Sequence, residues 1–163
     1  MWPQTQLHSL TQTQALQTGR LIMPLLDNYR LYGIQAEKVD RVWSDARKML
    51  EKALKYAQNR YDADSIYKAV KSREMQLWII CSNKGMQGAV ITEIINFPLK
   101  KILSISFLAG VDFDKWSHNW STIRDWATEN DCSAVRIFGR AGWEKKLGSL
   151  GFKKTSIVLE AEL

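Results

Sequence analysis

Met75-Gln76-Leu77-Trp78-Ile79-Ile80-Cys81-Ser82-Asn83-Lys84-Gly85-Met86-Gln87-Gly88-Ala89-Val90-Ile91 is the stretch on which the fold turns. Its first seven residues are rich in Ile, Leu and an aromatic, and read as a strand. Ser82-Asn83-Lys84-Gly85 has hairpin-turn chemistry, and a second apolar run carries on from Met86 to Ile95. After Asn96-Phe97-Pro98, a second turn, Lys101 to Ala109 forms a third strand. Three consecutive strands joined by short turns predict an antiparallel meander.

Helices flank this meander. Upstream, Val39, Val42, Trp43, Ala46, Met49, Leu50, Ala53, Leu54 and Ala57 recur at three- and four-residue steps, which predicts an amphipathic helix from Gln35 to near Arg60. Asp62 or Asp64 can cap a shorter helix burying Ile66, Ala69 and Val70. Downstream, Trp116, Trp120, Ile123, Trp126 and Ala127 share a helical face ending near Asn130-Asp131. Ala134 to Gly139 reads as a buried strand and Gly142 to Ser149 as a short helix closed by Gly151. Thr155 to Leu163 reads as a last strand with Ile157, Leu159, Ala161 and Leu163 inward. The fold class expected is α+β, a mixed central sheet with flanking helices.

Residues 1–34 differ in character: Gln4, Gln6, Gln12, Gln14 and Gln17 alternate with Thr and Leu, and no charge precedes Arg20. Such a segment buries little by itself, so an extended arm is expected over 1–34 and a domain over 35–163. Leu21-Ile22-Met23-Pro24-Leu25-Leu26 is an apolar run broken by proline. It either docks on another protein or packs on its own domain.

The 163 residues, 45% of them hydrophobic, suffice for one core. No apolar run is long enough to span a membrane, and the N-terminus lacks signal-peptide character, so synthesis and residence in a cytoplasm are expected. Cys81 and Cys132 make no metal-ligand spacing, and His8 and His118 stand in no catalytic constellation, so no metal is expected. A net charge of +6 permits contact with DNA, but the basic residues are spread and interleaved with acids.

The order of elements from Gln35 onward resembles the GNAT acyltransferase superfamily. Gly139-Arg140-Ala141-Gly142-Trp143 followed by Leu150-Gly151-Phe152 is similar to that superfamily's last helix and its Gly-Phe exit. Met75-Gln76-Leu77-Trp78, Thr92-Glu93-Ile94 and Leu108-Ala109-Gly110 further resemble small GNAT-like proteins encoded by phages and prophages. The resemblance implies a loop of the form Gln/Arg-x-x-Gly-x-Gly/Ala that holds the diphosphate of acetyl-CoA through backbone N–H groups. The matching stretch is Gly110-Val111-Asp112-Phe113-Asp114-Lys115-Trp116, in which only Gly110 fits. Asp112 and Asp114 stand where a diphosphate would approach, each repelling a unit charge by about 1 kcal/mol in water. Helix capping is the role expected of both.

The resemblance also implies a proton-donating tyrosine four residues before Gly151, where this sequence has Leu147, and Asn and Ala where it has Arg140 and Trp143. Glu93 is the remaining candidate for a base, set against a solvent-facing strand glutamate. Of seven tryptophans, Trp43, Trp78, Trp120 and Trp126 fall on apolar faces, whereas Trp2, Trp116 and Trp143 are harder to bury. The expectation drawn is a non-catalytic module without cofactor, a multi-copy or homo-oligomeric virion or assembly component. It would contact other proteins through Trp2, Leu21, Ile22, Leu25, Leu26, Arg140 and Trp143. The alternative is an acetyl-CoA-dependent N-acetyltransferase with a divergent cofactor loop at Gly110, Val111 and Asp112.

Overall fold

The computed structural model describes residues 28–58, 60–139 and 142–163. Five strands form one sheet in the order β1 (Arg30–Ile34), β2 (Met75–Ser82), β3 (Gly85–Phe97), β4 (Lys100–Gly110) and β5 (Ala134–Ile137). The first four are antiparallel neighbours, and β5 lies parallel to β4. The meander expected between residues 75 and 109 is present, with its strands one to three residues longer than the apolar runs suggested.

Successive side chains of a strand point to opposite faces, and here both faces are covered. Leu77, Ile79, Ala89 and Ile91 face one way, against Ala46 and Leu50 of α1 (Trp43–Leu54) and Ile66 and Val70 of α2 (Ala63–Lys71). Trp78, Ile80, Val90, Leu103 and Ile105 face the other, against Trp120, Ile123 and Trp126 of α4 (Trp120–Glu129). This double burial is why Ile79-Ile80 and Val90-Ile91 read as unbroken apolar pairs. The one indole at the centre of the sheet stays satisfied: Trp78 Nε1 donates to Thr92 Oγ1 at 2.9 Å, and Thr92 Oγ1 donates to Gln76 Oε1 at 2.9 Å.

Local chemistry accounts for the helix starts. Asp62 accepts from the Ser65 amide at 2.7 Å while Ser65 Oγ accepts from the Asp62 amide at 3.1 Å, a reciprocal cap that opens α2. A 3-10 helix over Ala36–Arg41 precedes α1, and Asp40 ties it to α2 by accepting from Tyr67 at 2.6 Å and Lys71 at 2.9 Å. These bonds hold the Asp40 carboxyl below the usual carboxylate range, the Tyr67 bond being the larger cause.

Several expectations are corrected. The single helix expected from Gln35 to Arg60 is a 3-10 helix and then α1, which ends at Leu54 before Gln58 turns left-handed at φ 51°. The helix expected from Trp116 is split into α3 (Phe113–Trp116), a 3-10 turn at Ser117–Asn119, and α4. Residues 30–34, read as the end of an arm, are the edge strand β1, with Tyr29 and Leu31 buried in the α4-side core. Thr155 to Leu163 forms no strand: Ile157 is 71% exposed and Leu159 91%, because alternation supplies amphipathy but no ladder partner. The short helix does form, as α5 (Trp143–Leu147) and a 3-10 turn at Gly148–Leu150. The fold class is α+β with a mixed central sheet and flanking helices.

Candidate functional site

The site originates in a mismatch between β3 and β4. Ile91 pairs with Phe107 and Thr92 with Ile105, so Ser106 is an extra residue on β4. Such a bulge bends its strand and raises its twist. On the other side, β5 accompanies β4 only from Ile102 to Ile105. Beyond Ile105, β4 stays paired to β3 as far as Gly110, while among the described residues no strand lies beside its other edge. A parting of two parallel strands leaves alternate backbone N–H and C=O groups of β4 facing an opening.

That opening is a cleft of about 470 Å³. Residues 105–110 of β4 form one long wall, and Ile137 at the end of β5 with Phe138 and Gly139 after it forms the other; Lys52 and Tyr56 reach the cleft from the α1 side, and Trp143 and Lys146 of α5 close it. An aromatic train supports the α5 wall. Phe113 meets Trp143 edge-on at 5.5 Å and Trp116 edge-on at 4.9 Å. Gly139 permits this seating, since a Cβ there would stand 2.9 Å from Cβ of Trp143. Lys146 Nζ sits 6.0 Å from the Trp143 ring centre.

Glu93 lies on β3, half-buried, and its Oε1 accepts from Ser106 Oγ at 2.8 Å. The bulge residue therefore connects the cleft wall to a carboxylate. Leu147, where the resemblance implies an acid, is buried in the core at 4% exposure. The neighbouring Lys146 is the α5 residue with a transferable proton in the cleft.

At the cleft mouth, Asp112 adopts a left-handed backbone at φ 51° and ψ 47°. It begins α3 but makes no side-chain cap, contrary to the capping role expected of it. Its Oδ2 instead accepts from the Tyr29 hydroxyl at 2.8 Å and from Lys115 Nζ at 3.2 Å. The Tyr29 bond first, and the Lys115 bond second, hold this carboxyl below its ordinary range. The loop's amides are also engaged: Val111 N–H donates to Gln87 O at 3.1 Å and Lys115 N–H to Asp112 O at 2.9 Å. Trp116, expected to resist burial, is buried, and its Nε1 donates to Val111 O at 3.2 Å.

The structure thus brings Gly110, Asp112 and Trp143 to one cleft and places Glu93 one hydrogen bond behind its wall. Val111 stands exposed beside the mouth. Trp143 is half-buried in that wall, and Trp2, Leu21, Ile22, Leu25, Leu26 and Arg140 lie outside the described residues. Sequence reasoning missed Lys52, Tyr56, Ser106 and Lys146. A serine between Ile105 and Phe107 was the available signal. Among the described residues no group of three or more His, Cys, Asp or Glu could hold a metal, and no helix is long and apolar enough to cross a membrane.

No protein-family model and no curated protein sequence matches the chain. Solved structures do. A ribosomal-protein-alanine N-acetyltransferase from Brucella melitensis biovar Abortus is 12% identical, with a TM-score of 0.60, covering 82% of this chain and 100% of its own. An aminoglycoside acetyltransferase from an uncultured soil metagenomic sample, in complex with sisomicin, is 9% identical with a TM-score of 0.60, over 83% and 96% of the two chains. A tetramutant of the BH1408 protein from Bacillus halodurans is 12% identical with a TM-score of 0.60, over 82% and 99%. The likeness establishes a GNAT-like fold. It also overturns the expectation of a non-catalytic virion component, because the activity named among these neighbours is acetyl transfer.

Proposed function

We propose that this chain is an N-acyltransferase that moves an acyl group from a pantetheine thioester, acetyl-CoA being the reference donor, to a primary amine. The observation that supports the reading is the parting of β5 from β4 at Ile105, next to the Ser106 bulge, which opens a cleft along a strand edge that no other described strand covers. Backbone groups on such an edge suit an extended, amide-bearing arm, which adds to a sheet as a further strand would. The residues fit that arm. They fit the diphosphate of the cofactor poorly, since carboxylates and already-bonded amides stand at the mouth.

When bound, the donor supplies an acyl carbon activated as a thioester. The chain's own residues then have three tasks. The β4 wall from Ser106 to Ala109 aligns the arm, which gains rate by fixing the reacting carbon near the amine. Glu93 takes the proton of the incoming ammonium through the Ser106 hydroxyl, so that the nitrogen attacks as a free amine. As the C–N bond forms and the C–S bond breaks, Lys146 gives a proton to the departing thiolate or stabilises it as an ammonium.

Labelled acetyl transfer from acetyl-CoA to a panel of primary amines, an aminoglycoside and a peptide N-terminus among them, tests this reading. Turnover by the wild type is expected, with Glu93→Gln lowering kcat by about 10²-fold while leaving the thermal midpoint in place. Absence of transfer to every amine at millimolar donor would sink it.

A further inference from the structure

Four observations at the mouth of the cleft concern one question, how the far end of a donor is held. First, Asp112 occupies a left-handed backbone at φ 51°, a conformation that costs an ordinary side chain energy and that asparagine, aspartate or glycine tolerates. Second, its carboxylate is fixed in place by the Tyr29 hydroxyl at 2.8 Å and Lys115 at 3.2 Å, and Tyr29 is itself anchored in the core. Third, the amide of Val111 donates to Gln87 O and that of Lys115 to Asp112 O, so two N–H groups of the loop are already used by the protein. Fourth, α3 is only four residues long, with Asp114 exposed in its first turn.

Together these repel a dianionic group at the carboxylates and leave it little else to bind. A charge-charge interaction at contact distance favours an anion only when the fixed charge is positive; here the mouth carries the Asp112 carboxylate, whose partner Lys115 is bonded to it and which Lys84 also faces. Amides that are internally bonded offer no replacement for lost water. A four-residue helix supplies little dipole. Deeper in the cleft the lining changes: the β4 edge, the aromatic Trp143 and the Ser106 hydroxyl suit an amide-bearing chain, and Lys52 and Lys146 are the cations that also reach it.

Resting on the acyl-transfer reading, we infer that the donor is recognised through its pantetheine arm and not through its diphosphate. The substrate class is therefore acyl-pantetheine thioesters in general, whether or not a nucleotide follows. The adenosine end of coenzyme A contributes little to affinity in this chain, and a donor that lacks it is used as well.

The test uses the full chain and three thioesters: acetyl-CoA, acetyl-4′-phosphopantetheine and acetyl-pantetheine, which carry a nucleotide diphosphate, one phosphate and no phosphate. Dissociation constants of the corresponding thiols come from calorimetry at low and at 0.5 M salt, and kcat/KM from labelled transfer. Coenzyme A is expected to bind no tighter than pantetheine, and its affinity to hold or rise at 0.5 M salt, because the carboxylates at the mouth repel the diphosphate and salt screens that repulsion. Coenzyme A binding more than about tenfold tighter than pantetheine, with an advantage that salt abolishes, overturns the inference while upholding acyl transfer. Binding of none of the three overturns the acyl-transfer reading itself, and this inference with it.

A paired variant separates charge from shape. Asp112→Asn keeps an acceptor for Tyr29 and tolerates the left-handed backbone, and Asp114→Asn removes the second charge. The double variant is expected to raise affinity for coenzyme A by about three- to tenfold, roughly the effect of removing two like charges near a partly screened surface. Its affinity for pantetheine should not change. Loss of coenzyme A affinity in this variant, in a protein of unchanged thermal midpoint, would show that Asp112 and Asp114 assist the diphosphate and so contradicts the inference.

Discussion

Asp112 shows how much one residue's setting depends on residues far away in sequence. Its place before α3 suggests a cap, yet its backbone is left-handed and the carboxylate turns to Tyr29, 83 residues earlier, and to Lys115. The sequence showed an acid near a helix start but had no means of showing that β1 would deliver a tyrosine hydroxyl to it. The bond has a pH signature. A carboxyl held below its unfolded value contributes stability that is fully present above that unfolded value and disappears as pH falls through the folded one. Thermal midpoints are therefore expected to fall on acidification from about pH 5 towards pH 3, and Tyr29→Phe is expected to flatten that slope, measured by scanning calorimetry in matched buffers. An unchanged slope in Tyr29→Phe would mean that the bond adds nothing to the folded state.

At the scale of elements, the strands between Met75 and Gly110 were legible because a doubly covered sheet writes its burial as continuous apolar runs. Strand β1 was not, since Arg30-Leu31-Tyr32-Gly33-Ile34 is short, contains a glycine, and owes its form to the ladder offered by β2. The reverse error occurred at Thr155 to Leu163, where alternation was clear but no described strand stands alongside. The cleft was illegible for a related reason: a bulge is a property of two paired strands, and neither sequence alone records it. Deleting Ser106 should restore an uninterrupted register between Ile91-Thr92 and β4. The variant is expected to keep its circular dichroism and to lose pantetheine binding by at least about tenfold, because the strand no longer bends from β5. Retained affinity would show that the bulge does not shape the site.

Across the whole molecule, two cores on opposite sides of one sheet carry the stability, and the end of the chain contributes little to either. Phe152 is the last side chain packed into a core, tilted against Trp120 at 5.2 Å. Beyond it, the Arg60 and Glu160 ion pair ties the end to the body among the described residues, and its side chains are 51% and 56% exposed, so its worth is discounted to about 0–1 kcal/mol. Removing residues 155–163 is therefore expected to alter unfolding free energy by no more than about 1 kcal/mol in urea titration. A loss of several kcal/mol would mean that the segment completes the sheet.

The central claim is that the opening between β4 and β5 is a binding site for the arm of an acyl donor. Amide resonances of the isotopically labelled protein, followed during titration with pantetheine, test it most directly. The account predicts saturable shifts concentrated at Ser106 to Gly110 and at Phe138 and Gly139, with the far strands β1 and β2 unmoved. Shifts absent at saturating pantetheine, or clustered away from these residues, would contradict it.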